Sequence, residues 1–475
     1  MRTAWSRVAR AAAGALVVVA CATCVHYQER PIDPDGTLDG FDARRLDGRD
    51  IAEFLRGEAG IDGWPPTVWD LRSLTLAALY FSPDMDVARA RWGVTRAGIV
   101  SAGARPNPPV GGSLGYNSTS QIIRPWIPEV VLGLPVETAG KRGIRIEQAR
   151  AASEAACLDV LHTAWLVRSR VRGAYVDSWS ARERESLLGR LHELQLESLE
   201  VLEAQLAAGA VSANELTQAR IAAGRTRLAA LEAASEREQA RLRLAEAIAV
   251  PSTALAAVDI SFDGLDRPAV DPPTDEMRRE AATHRADILG ALMEYEASQA
   301  VLQLEIAKQF PDLDIGAGYQ LDQTDSKWTL GINLVLPLFD RNAGPIAEAE
   351  AARTEAAARF QAIQARALAE VDEAATAYRS AVEAVAVIDA MLAGIQEREA
   401  AARQAYRLGA TSRLEMLSSE VELAAGRLAR LEGLAAAQRA AGDLEDALQR
   451  PLDEEAWLLE TPTRGSNEGD VRDGE

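Results

Sequence analysis

Side chains able to do chemistry are few in this 475-residue sequence, and they do not converge. The four histidines, His26, His162, His192 and His284, lack metal-ligand spacing, and no glycine-rich phosphate loop occurs. His162 and His192 read as ordinary helix-face residues. Cys157 lies in the apolar-rich stretch AACLDVLHTAW and reads as a small buried side chain rather than a nucleophile, with a Cys24–Cys157 bridge left open. The expectation is a protein that is not an enzyme and uses no cofactor or metal. What remains is electrostatic. Glu215 and Glu415 follow two copies of one tetrad, Gly209, Ala210 and Ser212 in the first and Gly409, Ala410 and Ser412 in the second. An acid at the same place in both repeats is what a solvated helix face would give.

The elements that must position these residues repeat as well. Arg227-Leu228 recurs as Arg427-Leu428 and Leu231-Glu232 as Leu431-Glu432, all at an offset of 200 residues, so two halves share one plan. Within LDIGAGYQLD, residues 313 to 322, apolar and polar residues alternate strictly, which predicts a strand with one apolar face. A polar turn, QTDSK, and a second strand, WTLGINLVLPLF, follow it, giving a hairpin over 311–339. The first half shows the same alternation at Val110 to Asn117 and at Val130 to Val136, giving a hairpin over 108–137. Each strand is about ten residues long, the length that crosses a bilayer when tilted. Tyr116, Trp126, Tyr319 and Trp328 fall near strand ends, where amphipathic rings prefer a membrane interface.

Long helices surround the hairpins. From about Gly143 to Ala208, and again from Ile346 to Leu408, proline is absent and Ala, Glu, Arg and Leu dominate, which predicts rods of roughly 100 Å at 1.5 Å per residue. After each glycine of the tetrads the chain reverses, and Leu417, Val421, Ala424, Leu428, Leu431 and Ala435 form a heptad seam. A shorter helix is expected before each hairpin, over 67–104 and 274–309, each stopped by proline. The domain plan is repeat 1 over 67–250, a connector over 251–273, repeat 2 over 274–449 and a C-terminal tail over 450–475, whose stretch TPTRGSNEGDVRDGE is expected to be disordered. Residues 21–66 form an N-terminal segment in which RLDGRDIAEFLRG hints at a short helix. Four amphipathic strands cannot close a barrel, and open edges facing lipid leave N–H and C=O groups unpaired at several kcal/mol each, so several chains must pool their strands.

In this order, the two-fold repeat, the junctions GLPVETAGKRGIRIEQARAA (133–152) and VLPLFDRNAGPIAEAEAAR (335–353), and the Gly-Ala-x-Ser helix reversals resemble the TolC-type outer-membrane efflux proteins over nearly the whole mature chain. The resemblance implies a mainly α fold with a small β part. A homotrimer, four strands per protomer, would build a transmembrane β-barrel continuing into a long α-helical barrel across the periplasm. It implies that the tips at Gly209, Ala210, Ser212 and at Gly409, Ala410, Ser412 dock a periplasmic adaptor protein, although ordinary turns would also use these glycines. It implies an inner-membrane pump, RND type, and ETAGKRG looks like the branch serving heavy-metal cation exporters. By the same resemblance Glu415 sits at a periplasmic gate. Ser418 stands where the family often has a second acid, so the acidic constriction is weaker here or relies on Glu420. Three copies of one carboxylate around an axis would repel one another and attract cations.

The N-terminus fits export. Arg2, Arg7 and Arg10 precede the apolar run AAAGALVVVA, too short to span a bilayer, which predicts a signal peptide over 1–20. It ends in a sequence resembling the lipobox of bacterial lipoproteins, with Cys21 as the lipidated residue, the alternative being a plain signal peptide cleaved nearby. Ala22 after it favours the outer membrane of a Gram-negative bacterium. With Lys plus Arg at 51 against Asp plus Glu at 71, the net charge of −20 disfavours a nucleic-acid partner. Two rival functions remain: the exit duct of a type I protein secretion system, and a non-transporting structural coiled-coil lipoprotein. The latter accounts for the helices but not for two alternating hairpins.

Overall fold

In the computed structural model, which describes residues 25, 27–59, 63–119, 124–268 and 275–452, the proline-free stretches are continuous helices. The expected signal peptide, Cys21, Cys24 and residues 453–475 lie outside the described residues. The chain divides into two units. The first, ending at Arg44, holds helix α1 (Pro34–Asp42), which proline opens at its first position. The Arg44 guanidinium lies 5.2 Å from the Phe41 ring centroid.

The second unit carries everything else. Its elements run α2 (Arg49–Ala59), α3 (Leu71–Phe81), α4 (Pro83–Gly103), β1 (Val110–Tyr116), β2 (Trp126–Val136), α5 (Lys141–Ala207), α6 (Ala213–Ile248), α7 (Ser252–Ala256), α8 (Asp275–His284), α9 (Ala286–Ala307), β3 (Leu313–Asp322), β4 (Asp325–Leu334), α10 (Ala343–Arg407) and α11 (Arg413–Leu448). The four strands form one antiparallel sheet in chain order. Helices α5 and α6 make one hairpin and α10 and α11 the other, while α4 and α9 lie along α5, α9 also against α10. Helix α11 crosses back onto α5, which joins the two halves. The main apolar cluster brings Ile51 and Leu55 of α2 and Leu74 and Leu79 of α3 onto Val167 and Val171 of α5 and Leu244 and Ile248 of α6.

Four expectations require correction. The helix predicted over 67–104 is two helices, because the residue before Pro83 is driven out of the helical region: Ser82 is extended at ψ 120. The helix predicted over 274–309 also breaks, at Arg285 (ψ 139), without a proline. There the buried guanidinium is drawn to Asp287 at 2.8 Å, Glu370 at 2.9 Å and the Ala447 carbonyl at 2.8 Å, contacts that sequence spacing does not reveal. The turn predicted as QTDSK is only Gln323-Thr324, since Asp325 already pairs with Asp322 and Lys327 reaches its carboxylate at 2.7 Å. The last strand stops at Leu334 instead of Phe339. Leu334 pairs with Leu313, the first residue of β3, so nothing remains for the following residues to pair with. The hinted short helix is Arg49–Ala59, and α1 has no counterpart in the sequence reading.

Two polar constructions hold the second unit in register. In the middle of α5, Arg168 and Arg172, both buried, reach one oxygen of the buried Glu445 on α11 at 2.9 and 3.0 Å. The other oxygen accepts the Leu452 N–H at 3.1 Å. Arg172 also donates to the Gln438 carbonyl at 2.7 Å, an approach that Gly442 leaves open. Beside it Asp446 accepts from Trp165 Nε1 at 3.0 Å and from the Ser169 hydroxyl, and burial pushes its carboxyl above the usual range.

The second construction joins strands to helices and gives each polar residue of ETAGKRG a partner. Ala139 (φ 55) and Gly140 (φ 69) turn the chain through the left-handed region into α5. The buried Lys141 ammonium donates to the Phe310 carbonyl and to Asp312 Oδ1, both at 2.7 Å. The Thr138 N–H reaches the same oxygen at 2.9 Å. Arg145 forks onto Glu137, and Arg142 caps the end of α4 at the Gly103 carbonyl at 2.6 Å. The repeat-2 junction uses different chemistry: Asn342 (φ 62) donates to the Glu305 carbonyl and carboxylate, each at 2.8 Å.

Removing Glu445 strands two buried guanidinium groups. Glu445→Ala is expected to cost about 3–5 kcal/mol and to lower the thermal unfolding midpoint measured in detergent. At the junction, Glu137 lies below the usual carboxylate range through its hydrogen bond from Arg145. For Asp312, burial pushes upward, but Lys141 and Thr138 more than offset it, so it too is lowered. Lowered folded values mean the stabilisation is complete above roughly pH 4 and is lost as pH falls through them. Asp312→Asn is expected to flatten the acid limb of a stability–pH curve, and an unchanged limb would contradict the assignment.

Candidate functional site

The sheet and the two helix reversals are the parts of the molecule that no core explains. Cross-strand pairing sets Val110↔Leu132, Leu132↔Ala317 and Ala317↔Leu330 in one row, and Leu134↔Ile315 and Ile315↔Ile332 in another. Directly opposed residues share a face, so the apolar alternation of all four strands combines into a single face. That face is solvent-exposed: Leu114, Val130, Leu134, Trp328, Leu330 and Ile332 each keep more than half their surface. The other face carries glycines and polar groups, among them Ser113 hydrogen-bonded to Glu129 at 2.9 Å, Asp314, Gln320 and Lys327. At Gly133 the close approach is real, because a Cβ would come within 2.8 Å of Pro109 and 3.0 Å of Asp314.

Each hairpin bears a cross-strand aromatic pair, the first in the Trp126 row and the second in the Val130 row, four residues along β2. Tyr116 meets Trp126 with centroids 4.9 Å apart, and Tyr319 meets Trp328 at 4.8 Å. Among the described residues strands β1 and β4 each have one neighbouring strand, so both outer edges present backbone groups with no strand beside them.

The two tetrads fold alike. Gly209 and Gly409 both sit at φ 72. Ala210 N–H closes on the Gln205 carbonyl at 2.8 Å and Gly209 N–H on Leu206 at 2.9 Å, while Ala410 closes on Ala405 and Gly409 on Tyr406, both at 2.9 Å. This is the Schellman ending, which needs the left-handed residue that glycine supplies. Ser212 and Ser412 then cap the returning helices, accepting from the Glu215 and Glu415 N–H groups at 3.2 Å.

The acids differ. Glu215 completes a capping box by accepting from the Ser212 N–H at 2.9 Å. Glu415 instead takes the hydroxyl of Thr411, which stands where the first copy has Val211. Glu415 and Ser418 are exposed on one side of α11, three residues apart. Glu420 is half-buried and held by Arg403 at 3.0 Å and Arg190 at 3.9 Å, and Arg413 reaches Glu197 at 3.6 Å within the same chain. A groove of about 480 Å³ between the two tips is lined by Glu200, Val201, Ala204, Ala208, Ala210 and Arg413.

The sequence reading placed the strands and tips, but not Thr411, Lys141 or Asp312. The Val211/Thr411 difference between the repeats was the available signal for the first. Of the histidines, His162 and His192 lie on α5 and His284 ends α8; His26 is outside the described residues. No group of three or more His, Cys, Asp or Glu among the described residues converges to hold a metal.

A model of the outer membrane efflux protein family matches residues 75–250 and 277–449. The chain is 24% identical over 362 residues to the cobalt-zinc-cadmium resistance protein CzcC of Cupriavidus metallidurans, covering 75% of this chain and 84% of that protein. It is 26% identical over 369 residues to the pyoverdine export outer membrane protein OpmQ of Pseudomonas aeruginosa, covering 72% and 71%. Among solved structures it superposes on CusC with a TM-score of 0.64 at 21% identity, covering 82% of this chain and 94% of the other. On the outer-membrane channel OprN the TM-score is 0.66 at 20% identity, with 91% and 100% covered. Two repeats, a sheet with one apolar face and matching helical reversals thus coincide with a family match over both halves: the chain belongs to the outer membrane efflux protein family.

Proposed function

We propose that this protein is the outer-membrane channel of a tripartite efflux system in a Gram-negative bacterium, conducting passively what an inner-membrane pump and a periplasmic adaptor deliver. The observation that carries this reading is the sheet: four strands share one exposed apolar face, both edges are unpaired, and each hairpin runs on into a long helix. In hydrocarbon such edges are intolerable, so copies of the chain must supply one another's missing neighbours. The helices repeat the demand. On α5, Leu187 and Leu191 pack against clusters that include Leu431 and Leu417 of α11. Their counterparts 200 residues on, Val387 and Met391, are 66% and 50% exposed. The counterparts of Leu428 and Leu431, which are Leu228 and Leu231 on α6, are 58% and 62% exposed. The internal α5–α11 contact is therefore the template for an α10–α6 contact between subunits, and three copies close the ring.

The groove between the tips and the tetrads at Gly209, Ala210, Ser212 and Gly409, Ala410, Ser412 receive the adaptor. Glu415 and Ser418 face the periplasmic mouth, where Glu415 supplies the acidic ring. The likeness to CzcC and the ETAGKRG junction favour a heavy-metal cation exporter of RND type as the pump. Cys21 carries the lipid that adds an anchor.

In a Cys24→Ser, Cys157→Ser background, Val387→Cys combined with Leu231→Cys is expected to give covalent trimers on non-reducing gels. Each single substitution should leave monomers, and a ladder absent from the pair would sink the seam. In planar bilayers Glu415→Ala is expected to cut cation-over-anion permeability by about twofold or more. An unaltered reversal potential would remove Glu415 from the mouth.

A further inference from the structure

The two helical hairpins share a plan but not an interior. In the second, the layer above the tip is dry: Leu392, Ile395 and Leu423 form a buried cluster, and a Cβ on Gly426 would stand 3.1 Å from Leu392 Cδ1 and 3.2 Å from Ile395 Cδ1. The residues 200 positions earlier are His192, Gln195, Ala223 and Thr226. The returning helices are 36 residues long in both copies and start from the same reversal, so the layers are equivalent. Ion pairs fix the register on either side, with Glu203–Arg220 at 2.7 Å toward the tip and Glu185–Arg237 at 2.7 Å away from it.

In this layer His192 Nδ1 and Gln195 Oε1 are buried without a hydrogen-bond partner among the described residues, whereas the buried Glu399 of the second hairpin, one turn nearer the tip than Ile395, has the charge of Arg403 on its own helix beside it. Thr226 on α6 does not bond to them: its hydroxyl proton is directed to the Ala222 carbonyl of its own helix at 3.3 Å. Ala223 in place of the larger Leu423 also leaves less apolar surface to be re-exposed. Separating α10 from α11 would expose leucine and isoleucine to water, which opposes opening. Separating α5 from α6 would hydrate two stranded polar atoms, which favours it.

We propose that the His192–Gln195 layer is a soft point built into the first hairpin, where α5 and α6 part and admit water. The tip at 209–212 thereby moves independently of the rest of α5, while the second hairpin stays closed at the matching level. The device lies within one chain and does not depend on the channel reading.

Hydrogen exchange followed by mass spectrometry on the full chain in detergent tests it. Amides in 188–200 and 219–231 are expected to exchange about tenfold faster than those in 388–400 and 419–431, the ratio equivalent to one unsatisfied buried polar group. His192→Leu with Gln195→Ile, which copies the residues of the second hairpin, should bring the two sets together. Leu392→His with Ile395→Gln should transfer the fast exchange to the second hairpin. Equal exchange of the two hairpins in the unmodified protein overturns the proposal, as does a copied layer that leaves the difference intact.

Discussion

The structure depends on backbone groups that its own chain cannot satisfy. A four-stranded antiparallel sheet has two edges, and β1 and β4 each leave one row of N–H and C=O groups without a strand beside it. In water that is tolerable; against hydrocarbon each such group costs several kcal/mol. The face that would meet hydrocarbon includes the apolar row running through Val110, Leu132, Ala317 and Leu330, and each hairpin adds a cross-strand aromatic pair to it. Sheet and surroundings are compatible only if the edges meet other strands, and that requirement propagates into the helices, which are continuous with the strands.

Continuity is enforced at two junctions that solve one problem differently. Each must turn an extended strand into a helix within a few residues, and both do so through left-handed residues, Ala139 and Gly140 in one and Asn342 in the other. The first is then pinned by a buried ammonium on a carbonyl and a carboxylate, the second by an amide on Glu305. The charged version ties repeat 1 to the start of β3 in repeat 2, so it fixes the two halves of the sheet against each other. The version pinned by the Asn342 amide stays within repeat 2.

Duplication makes the molecule interpretable by comparison with itself. Equivalent positions are buried in one copy and exposed in the other, as with Leu431 and Leu231, or apolar in one and polar in the other, as with Leu392 and His192. The first kind of difference marks surfaces awaiting a neighbour. The second marks layers where one hairpin has been given a property the other lacks. At the tips the geometry is preserved to within 0.1 Å in the closing hydrogen bonds, while the side chains around it diverge, Val211 against Thr411.

The strand LDIGAGYQLD, the proline-free rods and the Gly-Ala-x-Ser reversals were legible from sequence because each rests on local periodicity or on a backbone conformation that few residues tolerate. The two-fold plan and the family resemblance followed from that order. Tertiary structure alone decided the break at Arg285, the burial of Arg168 and Arg172 on Glu445, and the use of Asp312 as a shared acceptor for Lys141 and Thr138. These partners lie 85, 277, 273, 171 and 174 residues apart, counting Arg285–Glu370, the two arginines to Glu445, and the two donors to Asp312. A side chain's charge is written in the sequence, but the desolvated partner that makes it structural is chosen by how distant helices pack.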